Sequence, residues 1–409
     1  MKMKIISIFI VALFISSIIL VNSVSACTGF TSSTEELTLV GSNEDWWLPD
    51  PYIKIQPPEE EKHGYVIFEY GFPLPWDNDF MRPFAGMNDQ GLLFDFFYTP
   101  KLKIKFNPNK PLLLKDPTIH FMEKFSTVDQ VIDYLNSYNI FLLGFIGLNE
   151  AQMFVADKTG ASAIIEGDDI ILKQGDFQVV SNFLQTRPDL GELAHAFERY
   201  DIAVSMLENM TELSVNYFRK ICNATHQESV TNPTQYSHIF DLKDGIIYLN
   251  HYHDFEKTYV IDLEKEFSNG EQSYFLPSFF EPVDNQPPNI PEPIIITKNV
   301  ETRKEYFFDI NETTDPDNEP DEIYYMIDFG DGTYSKWINS YVIKENIASH
   351  SWNRPGKYDI KIKASDIYGM ESDWSDPFTI HAKLNKLTKL IILGALGVFG
   401  LYMLFKLLD

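Results

Sequence analysis

Between residues 276 and 293 the chain carries Pro277, Pro282, Pro287, Pro288, Pro291 and Pro293, and no other stretch constrains its folding so strongly. Each proline fixes its own φ and removes a backbone donor, so neither a helix interior nor a central strand can run through this density. The stretch therefore reads as a linker over 276–294, with a long domain before it and a short one after it. The chain has 409 residues, 44% of them hydrophobic, which is enough apolar material for two separate cores.

Upstream of the linker the hydrophobic period alternates between helix and strand. Residues 127–137 place Val128, Val131, Ile132 and Leu135 at helical spacing, with Thr127 and Gln130 in capping-box positions. Short apolar runs follow at 152–157, 161–167, 170–174 and 177–182, separated by glycine-rich turns, and read as successive antiparallel strands. The helical period returns over 192–206, and 245–263 reads as strand with a turn near Asp254. Mixed layers of helix and antiparallel sheet, an α+β class, are the expected result.

Downstream, 322–328, 357–364 and 377–381 are strand-like, with no convincing helix between them, and predict a small β-sandwich. The turn Asp328-Phe329-Gly330-Asp331-Gly332, followed by Ser349-His350-Ser351-Trp352, Pro355-Gly356-Lys357-Tyr358 and Asp366-Ile367-Tyr368-Gly369, resembles an immunoglobulin-like domain of the polycystic-kidney-disease type. The sandwich is placed at 295–381. That resemblance implies a spacer or a module for a surface ligand, so chemistry is to be sought in the first domain.

Both ends of the chain point to export. Residues 1–26 combine Lys2 and Lys4 with an apolar run over 5–21 and close on Val24-Ser25-Ala26, the build of a cleavable secretory signal peptide. A retained anchor is the alternative, because the run nears spanning length. Residues 390–405 are uncharged between Lys389 and Lys406; these sixteen residues fall short of the roughly 20 that a span needs, but both lysines can snorkel and bring in Leu387 and Leu407. A single transmembrane helix over 387–408 is expected, placing the protein on the cell membrane with its domains outside. The formal charge of -26 repels phosphate backbones and argues against nucleic acid as a partner.

Only Cys27 and Cys222 are available for a disulfide, and a bridge would consume both thiols. Cleavage after Ala26 would instead give Cys27 a free α-amine with a reference pKa of roughly 7.7 to 8.0, able to take the thiol proton near neutral pH. Val24-Ser25-Ala26-Cys27 also fits a lipoprotein signal, in which the thiol is alkylated and unavailable. Position alone leaves a nucleophile, a lipid anchor and an incidental cysteine all open.

The residues that follow carry a second resemblance. Cys27-Thr28-Gly29-Phe30, Gly41-Ser42-Asn43-Glu44-Asp45-Trp46, Gly86-Met87-Asn88-Asp89-Gln90-Gly91-Leu92, Asp157-Lys158-Thr159-Gly160 with Ile164-Ile165-Glu166, Val179-Val180-Ser181-Asn182, Glu198-Arg199-Tyr200, and Tyr236-Ser237-His238 continuing to Gly245-Ile246-Ile247-Tyr248 occur in order. In that order they resemble the choloylglycine hydrolase and penicillin V acylase family of N-terminal-nucleophile hydrolases, over essentially all of 27–275. The resemblance implies a four-layer αββα domain that cuts linear amides of small-molecule N-acyl substrates without cofactor or metal.

Carried over by position, the family implies that Cys27 attacks the carbonyl and Asp45 orients the cysteine's amine. Asn182 gives a side-chain N–H to the oxyanion, and Arg199 places a positive charge near the thiol and lowers its pKa. Tyr98 falls where penicillin V acylases have tyrosine, and its backbone N–H would complete the oxyanion hole. Ser42 departs from the pattern, standing where choloylglycine hydrolases carry an arginine beside the nucleophile; thiolate stabilisation is then left to Arg199 and the amine, or to another arginine such as Arg82. Trp46, Trp47, Phe94, Phe96, Phe97 and Tyr98 read either as core or as the wall of a site for a flat or greasy acyl group. An acyltransferase of the same fold is one alternative. A non-catalytic surface protein, with Cys27 lipidated or inactive, is another.

Three further groups read mainly as structural. His251 and His253 would share one strand face without a third metal ligand; Asp315, Asp317, Asp321 and Asp331 are loop acids with calcium-like spacing; and Asn209, Asn223 and Asn311 head sequons that a suitable host would glycosylate.

Overall fold

The computed structural model describes residues 27–71, 81–102, 105–113, 116–140, 151–188, 194–228, 232–292, 298–308, 310–317, 322–339 and 348–385. The signal segment 1–26, the predicted anchor 387–408 and Asp321 lie outside them. No helix among the described residues is long and apolar enough to cross a membrane.

Two large sheets carry the first domain. One has six strands in the order Phe177–Ser181, Thr28–Ser33, Thr38–Asp45, Thr234–Asp241, Ile246–His251 and Asp254–Asp262. The other has eight, in the order Asp169–Leu172, Ser162–Glu166, Ala151–Asp157, Leu92–Tyr98, Met81–Asn88, Tyr65–Gly71, Pro51–Gln56 and Gln272–Phe275. Of the four successive strands read from the sequence, three pair antiparallel in the second sheet. The fourth, Phe177–Ser181, leaves for the first sheet and pairs with Thr28–Ser33. Local periodicity cannot register such a switch, because it fixes what a strand is and not its neighbour.

By compactness the chain divides into two units, one comprising 1–47, 61–63 and 87–248 and the other 48–60, 64–86 and 249–409. In the first unit the layers follow from which face each side chain takes. Strand Thr38–Asp45 alternates, so Asn43 and Asp45 share one face while Ser42 and Glu44 share the other. Asn43 donates through Nδ2 to Cys222 O (2.9 Å) and Thr225 Oγ1 (3.0 Å) of helix Val215–Thr225, which fixes that face against helices. On the opposite face the sheets meet closely: a Cβ added to Gly29 would lie 2.5 Å from Phe97 Cζ of strand Leu92–Tyr98. Behind the second sheet, Asn88 donates through Nδ2 to Met122 O (2.9 Å) and Phe125 O (2.8 Å), and Asp157 accepts from Val128 N (2.9 Å). These bonds seat helices Thr118–Lys124 and Val128–Asn136 there, the second opened by the predicted Thr127/Gln130 capping box. Helix, sheet, sheet and helix thus stack in that order.

In the second unit the linker opens with a 3₁₀ turn, Leu276–Phe279, whose Pro277 occupies a position where a missing N–H costs nothing. The sandwich forms a five-stranded sheet in the order Asn299–Glu301, Phe378–Lys383, Gly356–Ser365, Tyr324–Asp328 and Ile338–Asn339. Its core gathers Ile327, Ile360, Ile362 and Ile380 around Trp352, whose indole N–H donates to Phe329 O at 3.0 Å.

His251 ends its strand, while Tyr252 and His253 both have positive φ, 41° and 68°, in the tight turn before Asp254. The two histidines therefore do not share a strand face. Asp331 accepts from Thr333 N (3.1 Å) and pairs with His350 Nε2 at 3.0 Å, so its carboxylate is engaged within its own turn. Neither Cys27 nor Cys222 is in a disulfide.

Candidate active site

Antiparallel pairing collects the predicted site residues at one edge of the sheets. Thr28 pairs with Ser181 on one side and with Asn43 on the other, so one step further Cys27 stands opposite Asn182 and Glu44. Thr234 pairs with Asp45, which brings the start of a third strand to the same edge. All of these residues belong to the first unit.

Cys27 is buried, and its Sγ lies 3.8 Å from both Glu44 Oε2 and the Asp45 carbonyl. Ser181 Oγ donates to Cys27 O at 3.1 Å and fixes the backbone from the neighbouring strand. Asp45, fully buried, accepts a short hydrogen bond at Oδ1 from Thr234 Oγ1, and its Oδ2 faces Arg199 Nη1 at 3.7 Å. Arg199 projects from helix Ala194–Glu208 and also donates through Nε to Thr28 Oγ1 (3.1 Å) and through Nη1 to Gln227 Oε1 (2.8 Å). One guanidinium thus ties the residue after Cys27 to Asp45. Asn182 donates through Nδ2 to Tyr98 O at 2.9 Å, joining the ends of strands from both sheets. Cys27, Asp45, Asn182, Arg199 and Tyr98 are therefore brought together.

The electrostatics differ from expectation in one respect. Burial, then the charges of Glu44 and Asp45, push the Cys27 thiol well above its ordinary pKa, with the hydrogen bond to the Asp45 backbone opposing them. Arg199 acts instead on Asp45, whose carboxyl burial raises to about 7 against the pull of Arg199, the Thr234 hydroxyl and His226. The guanidinium sits on the helix face of the strand, whereas the thiol looks across to Glu44. Among the proposed pocket aromatics, Trp46, Phe94, Phe96 and Phe97 are buried core residues, while Trp47 and Tyr98 are partly exposed.

Three site-adjacent residues escape the motif reading. Glu44, Asp95 and His238 are buried together, with His238 Nε2 4.0 Å from Glu44 Oε1 and 3.8 Å from Asp95 Oδ2. Ser42, the position lacking the arginine, donates its hydroxyl to Glu44 Oε1 at 3.1 Å. Burial raises Glu44 well above the carboxylate range and Asp95 to about 8, Ser42 and Glu44 partly offsetting the latter, and lowers His238 to about 4. One sequence signal was available: Asp95 is the lone charge in the apolar run Leu92–Tyr98 and alternates with Leu93 and Phe97 on the inward face.

The PKD domain family matches residues 285–381. No curated protein matches the chain in sequence. Its structural neighbours include a variant of the conjugated bile acid hydrolase of Clostridium perfringens, 18% identical over 61% of this chain and 97% of that one, with a TM-score of 0.47. Another is the penicillin V acylase of Agrobacterium tumefaciens, 15% identical over 61% of this chain and 92% of that one, with a TM-score of 0.44. A third is the PKD domain of an M14-like peptidase from a Thermoplasmatales archaeon, 32% identical over 25% of this chain and 99% of that one, with a TM-score of 0.20. These neighbours are of the kinds that the two sets of sequence motifs resemble.

Proposed function

We propose that the first domain is an N-terminal-nucleophile amidohydrolase that cuts linear C–N bonds of N-acyl compounds through Cys27. The observation that carries this reading is the convergence on one sheet edge of the Cys27 thiol, the Asp45–Arg199 pair and the Asn182 amide.

Removal of residues 1–26 turns the Cys27 nitrogen from a non-basic amide into an amine that accepts the thiol proton. The thiolate adds to the substrate carbonyl, and the oxyanion takes N–H donors from Asn182 Nδ2 and the Tyr98 backbone. The tetrahedral species collapses to a thioester as the ammonium returns its proton to the leaving nitrogen. Water, deprotonated by the same amine, then releases the acid. Asp45, held by Thr234 and Arg199, orients the amine in each half-reaction. The apolar run 390–405 supports display on the cell membrane by a helix over 387–408.

The test compares the export-processed protein with Cys27→Ser on a panel of aryl, fatty and sterol-type N-acyl amides. Mass spectrometry should find an acyl adduct on Cys27 and free acid as product. Absence of any Cys27-dependent product would overturn the proposal, and transfer to an added amine in preference to water would convert it to an acyltransferase.

A further inference from the structure

We propose that Glu44, Asp95 and His238 form a divalent-cation site in the core between the two sheets, directly behind the Cys27 thiol. The donors come from both sheets. Glu44 and His238 lie on adjacent strands of the six-stranded sheet, where His238 pairs with Ser42 and Glu44 with Tyr236, and Asp95 lies at the middle of Leu92–Tyr98 opposite them. One ligand atom from each falls within 4.8 Å of the others. Around an ion with bonds of about 2.1 Å, neighbouring donors stand about 3 Å apart and opposite ones about 4.2 Å, so closing the cluster takes small side-chain shifts.

Burial and hydrogen bonding both call for an occupant. Glu44 and Asp95 are 1% and 0% exposed, and His238 is the one basic side chain within 4.0 Å of either among the described residues. No donor among the described residues meets hydrogen-bond geometry at either buried oxygen of Asp95, and the nearby Ser42 hydroxyl donates to Glu44 Oε1. A dication would displace the carboxyl protons and take both carboxylates and one imidazole nitrogen as ligands. One nitrogen and two carboxylates suit zinc or manganese better than calcium, which prefers an all-oxygen shell.

Binding rests on this cluster alone. Its bearing on catalysis rests on the amidohydrolase reading: a positive ion beside Glu44 would counter the carboxylates that face the Cys27 thiol.

The experiment strips the full chain with a chelator, dialyses it against zinc or manganese chloride, and measures bound metal by atomic emission together with the thermal midpoint. About one ion per chain and a rise of a few degrees are expected. Asp95→Asn and, independently, Glu44→Gln should lower affinity at least ~10-fold, while Cys27→Ser retains the ion. Equal uptake by wild type and both carboxylate variants, or loss of uptake in Cys27→Ser alone, would overturn the site. Metal bound without cleavage of any amide sinks the catalytic reading and leaves the site standing; cleavage without uptake does the reverse.

Discussion

At the residue scale the proposed chemistry depends on groups that are individually ordinary and become specific by placement. Asn182→Ala should lower kcat by ~10²–10³ with little change in KM, since its Nδ2 is assigned to the oxyanion, which exists only beyond the ground state; steady-state kinetics on any turned-over amide decides it. Asp45→Asn keeps the shape but removes the acceptor that Thr234 and Arg199 hold in place, and a loss of at least ~10² in kcat/KM is expected in the same assay. The convergence of Cys27, Asp45, Asn182 and Arg199, as distinct from their roles, was legible because motif order along the chain carries over to strand ends that antiparallel pairing brings to one edge. Glu44, Asp95 and His238 were not. Glu44 hides beside Asp45 in a polar segment, and no local rule reports that strand alternation turns it inward while its neighbour turns toward the helices. The direction of the thiol shift was missed for the same reason: distance along the sequence says nothing about which face a charge occupies.

At the scale of elements, close approach of the two sheets is a stability determinant beside the nucleophile. Gly29→Ala would drive a methyl into the Phe97 ring, and a loss of ~1–3 kcal/mol is expected by urea denaturation, with reduced activity because Cys27 lies two residues away. His251 is a second sensitive point. It ends its strand buried against Phe280 (5.5 Å) and Tyr368 (5.6 Å), and burial, then His253, lower its pKa to about 3. A histidine depressed in the folded state contributes stability that is present above its unfolded pKa near 6.5 and lost as pH falls toward 3. By about pH 5 the loss amounts to roughly 2 kcal/mol, and His251→Gln should flatten that part of a stability-against-pH curve. Helix 128–136 and the paired strands were readable from period and capping, whereas sheet membership of Phe177–Ser181 was decided by a long-range pairing with Thr28–Ser33. The strand reading of His253 failed because a two-residue turn with positive φ at Tyr252 and His253 carries neither glycine nor asparagine as a signal.

For the whole molecule, the proline stretch marked where local structure changes, yet compactness groups 249–409 with 48–60 and 64–86 and not by the linker alone. Within that unit the linker's Asn285 donates to Asp366 Oδ2 at 2.8 Å, and a side chain on Gly369 would strike Phe275, contacts that a reading of segments one at a time has no means to foresee. Under the proposed mechanism, activity at this scale is tied to processing. A chain retaining residues 1–26 should hydrolyse no amide and resist thiol alkylation, because its Cys27 has no amine and a pKa well above the ordinary range; N-terminal sequencing alongside iodoacetamide labelling checks both. The contact between Gly29 and Phe97 bears on ancestry as well as stability. Because the sheets already touch there, an acyl chain bound under the proposed chemistry would find no room beside Gly29 to grow between them. In the proposed hydrolase such a layout would separate what breaks the bond from what chooses the molecule, and would let selection redraw the periphery while the core stays fixed.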